Sequence, residues 1–351
     1  MNHLESGTRV HEVRVPVFVV GLGRSGTTLL RVALNRHSQL AVCGETNYFH
    51  FVYVRRRAFG DPADPRNREG IINAYLSIRK IPKLGMDMAA LRERLLREGV
   101  NWRAMFQSML QEYAESQGKI YTGEKSPKHT LHVKTLCEWF PCCSIVHIVR
   151  DPRDAVSSAI RMPWANRSVL VGARQWRLFN QAALAVADRD NYLRVRYEDL
   201  AAQPEEQLRR ICNHIGIAYE AEMLNPSPVE AGTRAHGFRA FERITTERIA
   251  LWRTELKPWQ AAAIEAVAGR WMEKFGYERQ NKRVPLTSLA RAGVEALVEM
   301  AFTTFFRLPW AFYRLFHPAS LADEFKWKER ASADYARRRL PLPEDPATKE
   351  P

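Results

Sequence analysis

The sequence predicts an α/β protein: a three-layer sandwich with helices on both faces of a central, mainly parallel β-sheet, followed by a C-terminal helical extension. Three observations support this class. Short apolar runs recur along the chain, and stretches with helical periodicity lie between them. A glycine-rich segment follows the first apolar run and opens a helix. Hydrophobic residues make up 46% of the chain and charged residues 26%, a globular composition that excludes wholesale disorder.

The strand candidates are short runs of residues that favour β-structure. In chain order they are Val15–Val20, Leu40–Cys43, Lys119–Thr122, Ser144–Val149 and Tyr192–Tyr197. Helices are predicted after the first strand, after Asp151-Pro152, at Glu205–Ile215 and at Lys257–Phe275, where Gly276 is a stop signal. This alternation of strands and helices predicts the parallel sheet.

The chain is predicted to divide into a domain of residues 1–283 and an extension of residues 284–351. Within the domain, residues 53–118 are rich in Arg, Asp, Pro and Met. We expect them to form a helical insertion between core strands that contacts substrate. The extension combines an amphipathic helix with a Pro-rich tail at 340–351.

The amphipathic segment covers residues 286–316. One helical face collects Leu286, Leu289, Ala290, Val294, Leu297, Val298, Ala301, Phe302 and Phe305. The segment also carries Arg291, Arg307, Arg314, Trp310 and Tyr313, which suit peripheral binding to a membrane surface. The alternative is that the helix packs back on the domain or on a second subunit, as in a homodimer.

Charge and cysteine content bear on partners and compartment. Lys and Arg number 53 against 39 Asp and Glu, and the net charge of +14 indicates anionic partners. No nucleic-acid-binding motif is present, so we expect no nucleic-acid partner. The five cysteines lack zinc spacing, the N-terminus lacks a secretory signal, and no run of about 18 uncharged apolar residues occurs. These features predict a cytoplasmic protein, peripheral at the membrane if residues 286–316 bind there.

The strongest motif is the phosphate loop Gly21–Thr28, which reads GLGRSGTT. It lies between a strand and a helix, as in P-loop proteins, and its backbone amides at a helix N-terminus would face an anion. Thr27 occupies the lysine position of the nucleotide triphosphatase pattern, and the cation is Arg24 instead. No acidic residue ends the Ser144–Val149 strand to hold Mg²⁺. The loop therefore suits transfer of an anionic group, with no metal expected.

The loop and the following Cys43-Gly44-Glu45-Thr46 resemble the phosphosulfate loop of sulfotransferases that use 3′-phosphoadenosine 5′-phosphosulfate (PAPS), closest to the tyrosylprotein and carbohydrate types. Further matching segments are Ile148–Ser158 (IVRDPRDAVSS), Gly123–His129 (GEKSPKH), Val195–Leu200 (VRYEDL), Trp252–Pro258 and Phe275–Tyr277. The resemblance covers about residues 14–280. It implies PAPS as donor and 3′-phosphoadenosine 5′-phosphate (PAP) as product.

The resemblance also implies roles for the donor site. The 5′-phosphosulfate would lie on the amides and side chains of Gly23, Arg24, Ser25, Gly26, Thr27 and Thr28. Arg150 and Ser158 would bind the 3′-phosphate, and Tyr197 would pack near the adenosine. Arg24 is counted among the catalytic groups as well.

Glu45 is the predicted general base, and Lys125 would stabilise the oxygen that bridges sulfur to the leaving phosphate. His50 and His129 are rival candidates for the base. The chain has one Glu where tyrosylprotein sulfotransferases have Glu-Glu, a departure that argues against a peptide tyrosine as acceptor. The acceptor hydroxyl is left open among carbohydrates, lipids or glycolipids, and small molecules. The alternatives are a kinase-like phosphotransferase and a non-catalytic nucleotide-binding module.

Overall fold

A five-stranded parallel sheet forms the centre of the computed structural model, which describes residues 16–78, 80–162, 165–226, 244–281 and 283–316. Its strands are β1 (Val17–Val20), β2 (Leu40–Cys43), β3 (Tyr121–Lys125), β4 (Ser144–Val149) and β5 (Tyr192–Arg196). They are ordered β2-β3-β1-β4-β5, and every neighbouring pair is parallel. The predicted three-layer α/β architecture is confirmed.

Helices cover the two faces of the sheet and fill the insertion. They are α1 (Thr27–Asn35), α2 (Tyr48–Phe51), α3 (Arg56–Phe59), α4 (Pro65–Leu76), α5 (Met88–Glu98), α6 (Trp102–Ser116), α7 (Val133–Trp139), α8 (Pro152–Ile160), α9 (Val169–Leu184), α10 (Tyr197–Ala202), α11 (Pro204–Ile215), α12 (Trp252–Glu255), α13 (Pro258–Ala268), α14 (Arg270–Lys274) and α15 (Leu286–Phe316). Four 3₁₀ turns lie at Tyr53–Arg55, Pro82–Leu84, Pro127–His132 and Ala221–Leu224.

The central strand β1 is buried on both faces because side chains alternate along a strand. Phe18 packs towards the insertion and stacks on Phe106, with ring centroids 6.2 Å apart. Val17 and Val19 point the other way and join Leu30 of α1 in a second apolar cluster. Burial of each such side chain contributes about 1.5–3 kcal/mol, so β1 and the loop that follows it are firmly held.

Two predicted elements differ from the structure. The strand predicted at Lys119–Thr122 lies at Tyr121–Lys125. Glu124 and Lys125, which follow the predicted strand in the sequence, are therefore its last two residues, and both are buried. The single helix predicted at Lys257–Phe275 is two helices, because the chain changes direction at Gly269, where φ is +49°.

The extension contributes α15, whose side chains are described through Ala301 and at Thr304, and which packs on α9 and α13. The face turned to the domain carries Ser288, Ala292, Glu295 and Glu299. Ala292 is fully buried. The Glu299 carboxylate accepts a hydrogen bond from the amide of Arg167 at 3.4 Å. The helix therefore packs back on the domain, but not through its predicted apolar stripe.

That stripe faces solvent. Four of its large side chains are exposed, from 61% at Val294 and Leu297 through 62% at Val298 to 81% at Leu286, while Leu289 is half-buried. No helix in the described ranges is long and apolar enough to cross a membrane. The predicted tail at 340–351 lies outside the described residues.

Candidate active site

The predicted site residues gather along one edge of the sheet, where the parallel strands end. The Gly21–Gly26 loop follows β1, Glu45 follows β2, and Lys125 is the last residue of β3. Arg150 follows β4, and Tyr197 follows β5. The connection after β1 leads to β2 on one side of the sheet, and the connection after β4 leads to β5 on the other side. Ligands of such sheets bind in the crevice at this switch point between β1 and β4.

The phosphate loop holds a backbone conformation that its glycines permit. At Gly26, where φ is +92°, a Cβ would lie 2.5 Å from the ring of Tyr197. At Gly21, where φ is +141°, it would lie 2.3 Å from the carbonyl oxygen of Ile148. Thr130 fixes the start of the loop, since its Oγ1 accepts from the amide of Gly21 at 2.8 Å. The loop therefore packs tightly against the ends of β4 and β5.

The residues of the loop fit an anionic ligand. α1 begins at Thr27 with no side-chain cap, so no side chain takes up the first amides of the helix, which suit an anion. Ser25 Oγ is buried and has no hydrogen-bond partner in the described part of the chain. A Cβ at Gly23 would meet no heavy atom within 4 Å, which leaves room for close approach of a ligand. Unpaired donors beside a helix N-terminus are what a phosphosulfate requires.

Arginines converge beside the loop. Arg24 Nε donates to Ser158 Oγ at 3.0 Å, and Arg150 donates to the carbonyl of Arg24 at 3.3 Å. Burial, together with the charges of Arg150, Arg248 and Arg161, lowers the pKa of Arg24 to about 10. Like charges packed this closely favour an anion between them. The structure thus brings Arg24 to the two residues assigned to the 3′-phosphate.

Arg150 is held from several sides. Its guanidinium lies 4.4 Å above the ring of Tyr197 and donates to the carbonyl of Arg248, while its own carbonyl accepts from the indole of Trp176 at 2.8 Å. The buried Arg150 Nε has no hydrogen-bond partner within the described ranges, so a donor remains for a ligand. Tyr197 packs against both Gly26 and Arg150 and so joins the loop to the arginine cluster.

Asp154 connects this cluster to the C-terminal part of the domain. Its carboxylate accepts from the amides of Ala250 and Trp252 at 2.8 and 2.9 Å and lies 3.9 Å from Arg150. Burial raises the pKa of this carboxyl despite the neighbouring Arg150. Asp154 thereby positions the segment that carries Arg248. Sequence reasoning assigned Asp154 no role, although it lies in the IVRDPRD segment.

Glu45 and Lys125 form an ion pair with 2.9 Å between Oε1 and Nζ, and Lys125 also reaches Thr28 Oγ1 at 3.3 Å. The second carboxylate oxygen, Oε2, pairs with Lys80 of the insertion. Burial of the Glu45 carboxyl opposes its ionisation, but the two ammonium groups outweigh this and hold its pKa well below the usual range. Lys80 was not among the predicted site residues, and no sequence motif marks it.

The rival histidines occupy different surroundings. His129 Nε2 accepts from the amide of Phe49 at 3.2 Å, so the ring proton lies on Nδ1, which donates to Glu124 at 2.8 Å. Both ring nitrogens of His129 are thus engaged in the fold. The His50 ring packs against Phe51, with centroids 4.6 Å apart. This geometry favours Glu45 as the base.

Buried Glu124 is the centre of a polar network that sequence reasoning missed. Its Oε1 accepts from the hydroxyl of Thr46 at 2.7 Å and from Ser126, and its Oε2 accepts from His129. The network ties the residue after Glu45 to the segment after Lys125, and so fixes the two catalytic candidates relative to each other. In the described part of the chain, no three His, Cys, Asp or Glu side chains are grouped to hold a metal ion.

The fold and site are those of a parallel α/β protein with a phosphate loop that suits an anionic ligand. The sulfotransferase family profile matches residues 16–221, more than half of the chain, so the chain belongs to the sulfotransferase family. The class predicted from the sequence is thereby confirmed, and the kinase-like alternative loses its support.

Individual relatives agree with this assignment. The omega-hydroxy-beta-dihydromenaquinone-9 sulfotransferase of Mycobacterium bovis is 28% identical over 60% of this chain and 66% of its own length. Mouse carbohydrate sulfotransferase 2 is 32% identical over 42% of this chain and 37% of its own length. The chain thus spans less than two thirds of either relative. The sulfotransferase domain of the Synechococcus PCC 7002 olefin synthase, 24% identical, shares the fold with a TM-score of 0.57 over 77% of this chain and 97% of that domain.

Proposed function

We propose that this protein transfers the sulfuryl group of PAPS to an acceptor hydroxyl and releases PAP. One observation carries the proposal: Lys125 reaches both Thr28 of the phosphate loop and the Glu45 carboxylate. A cation for the leaving group and a base for the acceptor thus meet beside the loop that would hold the donor.

The donor would lie across the edge of the sheet. The amides of Gly23 to Thr28 and the hydroxyls of Ser25, Thr27 and Thr28 suit its 5′-phosphosulfate. The 3′-phosphate would bind at Arg150 and Ser158. Arg24 suits this phosphate as well, because its side chain donates a hydrogen bond to Ser158. The Arg150 guanidinium lies over the Tyr197 ring, and this contact supports a role for the ring near the nucleoside.

The reaction is an in-line displacement at sulfur that uses no metal ion. The bond from the acceptor oxygen to sulfur forms, and the bond from sulfur to the bridging phosphate oxygen breaks. Glu45 takes the proton of the acceptor hydroxyl. Lys125 stabilises the negative charge that grows on the bridging oxygen, and Arg24 stabilises the charge on the peripheral oxygens.

The acceptor is a hydroxyl of a lipid or glycolipid, a carbohydrate or a small molecule. The names of the relatives include a hydroxylated menaquinone and carbohydrates, and both carry hydroxyl groups. The insertion lies over the base, because Lys80 pairs with Glu45. We therefore assign the choice of acceptor to this segment.

We further propose that the outward face of α15 lies on an anionic bilayer. Both acidic residues of this helix, Glu295 and Glu299, lie on the face turned to the domain and are partly buried there. The exposed face of α15 is apolar, and Arg291 lies at its side. From residue 300 to residue 316 the sequence contains only cationic charges, those of Arg307 and Arg314. An apolar face without carboxylates, in a chain of net charge +14, complements an anionic lipid surface. All five cysteines are free thiols, which fits the cytoplasmic side of such a membrane.

The direct test is transfer of ³⁵S from labelled PAPS into fractionated cell extract, in excess chelator. We expect label in one fraction with the wild-type protein and none with Glu45→Gln or Arg24→Ala. Transfer that needs Mg²⁺ and uses labelled ATP would support a phosphotransferase instead. Label transfer by Glu45→Gln at the wild-type rate would reject Glu45 as the base.

A further inference from the structure

Both oxygens of the proposed catalytic base are occupied by ammonium groups. Lys125 pairs with Glu45 Oε1, and Lys80 pairs with Oε2. The two lysines differ in their surroundings. The Lys125 side chain is 5% exposed and ends a central strand, whereas that of Lys80 is 46% exposed and comes from the insertion. Lys125 is thus a buried part of the sheet edge, whereas Lys80 reaches Glu45 from the half-exposed surface of the insertion.

The segment that carries Lys80 is itself anchored. Ile78 and Ile81, on either side of Lys80, are both buried in the core, and the amide of Ile81 donates to the carbonyl of Ile78 at 2.8 Å. Leu84, in the following 3₁₀ turn, lies over Gly44, where a Cβ would be 3.2 Å from its Cδ2. The segment therefore covers the residue before Glu45. Lys80 is held in reach of the carboxylate while its flexible side chain remains half in solvent.

We propose that Lys80 is a positioning residue that covers Glu45 in the absence of acceptor and is displaced from Oε2 by the acceptor hydroxyl. This inference rests on the proposed sulfotransferase function. Its consequence is selectivity between acceptor and water. With Lys80 in place, Glu45 is a poor base, because two cations reduce its affinity for a proton. When the acceptor displaces Lys80, the carboxylate regains its affinity for a proton and can take the proton of the bound acceptor hydroxyl.

Water is the competitor that Lys80 excludes. In the unwanted reaction, the oxygen of water attacks sulfur, the bond to the bridging phosphate oxygen breaks, and Glu45 takes the water proton. The products are inorganic sulfate and PAP. The Lys80 side chain is half exposed, so water can solvate its ammonium group when the acceptor displaces it. Lys125 does not move in this scheme, because it is buried and also contacts Thr28.

The test measures PAP formed from PAPS alone, without acceptor, by wild type and Lys80→Met. General-base assistance contributes roughly 10²–10⁴-fold to a rate, so we expect release of Glu45 to raise the acceptor-free rate about tenfold or more. Lys80→Arg keeps a cation on Oε2 and should retain the low wild-type rate. Lys83→Met changes an exposed lysine of the same segment and is the matched control.

Calorimetric titration with PAP separates this inference from the proposed function. If PAP binds wild type and Lys80→Met equally well but acceptor-free hydrolysis is unchanged or lower in the variant, the role of Lys80 is rejected and the sulfotransferase proposal stands. If PAP fails to bind the wild-type protein, the proposed function falls, and the role of Lys80 falls with it. A hydrolysis rate that rises equally in Lys83→Met would also reject the inference.

Discussion

Arg24 Nε donates a 3.0 Å hydrogen bond to Ser158 Oγ, so a residue of the phosphate loop contacts the first helix after β4. The sequence assigned these side chains to opposite ends of the donor. Their contact means that one guanidinium can reach both ends of the proposed donor site. Arg24 also has a positive φ of 73°, a conformation that costs energy for any residue except glycine.

Loss of the Arg24 side chain should weaken PAP binding. A hydrogen bond to a charged group contributes about 1.5–3 kcal/mol, so we expect Arg24→Ala to raise the Kd for PAP by roughly 10- to 100-fold in calorimetric titration. Arg24→Gly should lose the same affinity while relieving the positive φ, and its melting temperature should not fall. Arg66→Ala, at an exposed position of α4, is the control. An unchanged Kd in both Arg24 variants would remove Arg24 from the donor site.

Lys125→Met should slow the chemical step more than it weakens donor binding. Loss of one preorganised charge at a developing oxyanion costs about 10²–10³-fold in kcat. The substitution also removes one of two cations that hold the pKa of Glu45 down. A carboxylate base acts in its ionised form, so with Glu45 as the proposed base the acidic limb of the pH–rate profile should move to higher pH. A profile that keeps its acidic limb in place would show that Glu45 does not control it.

Glu124→Ala should destabilise the fold around the base. Its removal leaves His129, Thr46 and Ser126 without their shared acceptor in a buried site. Breaking one side of a buried charged network costs about 3–5 kcal/mol, which denaturant titration can measure. Glu124→Gln retains an acceptor oxygen and should cost less. Glu69→Ala, at an exposed position, should have little effect, and equal losses in all three variants would contradict this account.

Acid should destabilise the protein partly through His147. Burial lowers the pKa of this imidazole to about 4, while Tyr192 and Asn180 bond its two nitrogens at 2.7 and 2.9 Å. Its pKa in the unfolded chain is near 6.5, so the unfolded state takes up this proton first as the pH falls. The stabilisation is therefore lost between about pH 6.5 and pH 4.

His147→Gln should flatten the dependence of melting temperature on pH across that window, whatever its effect at neutral pH. His132, whose pKa burial also lowers to about 4, would retain a part of the slope. Melting curves of wild type and variant at several pH values provide the measurement. Parallel curves would assign the acid sensitivity to other groups.

The outward face of α15 should bind anionic vesicles. We expect wild-type protein to float with vesicles that contain phosphatidylserine, and Leu297→Glu with Val298→Glu to stay in the dense fraction. Both side chains are exposed, so the domain should remain folded. Leu96→Glu with Val100→Glu adds the same charge at other exposed positions. If no protein floats and only the α15 variant dissociates a dimer in sedimentation, the partner is a second copy.

Much of the donor side could be predicted from the sequence because it depends on local pattern. The strand, loop and helix around Gly21–Thr28 and the residues after β4 follow from glycine spacing, an apolar run and Asp151-Pro152. Carboxyl ends of parallel strands meet at one edge, so these segments had to converge. Even so, the contact from Arg24 to Ser158 depends on which way a side chain turns, and sequence spacing does not determine that.

The remaining features depend on packing between distant segments. Lys80 approaches Glu45 only because the insertion packs back towards β2. Sequence periodicity predicts helices and strands, but it does not predict such a contact between distant segments. The role of buried Glu124 depends on hydrogen bonds from Thr46, Ser126 and His129, which sequence spacing does not predict. For α15 the amphipathic pattern identified the apolar face, but the face that packs is the one with Ala292 and two carboxylates beside the start of α9.

The path of the insertion has a consequence for how such enzymes diversify. Residues 53–118 form one continuous stretch between β2 and β3, whereas the donor site is assembled from segments after β1, β4 and β5. A recombination event confined to that stretch would replace the proposed acceptor side and leave the segments of the proposed donor site unchanged. Grafting the stretch from one relative onto another therefore offers a way to exchange acceptors, provided the graft keeps a cation where Lys80 meets Glu45.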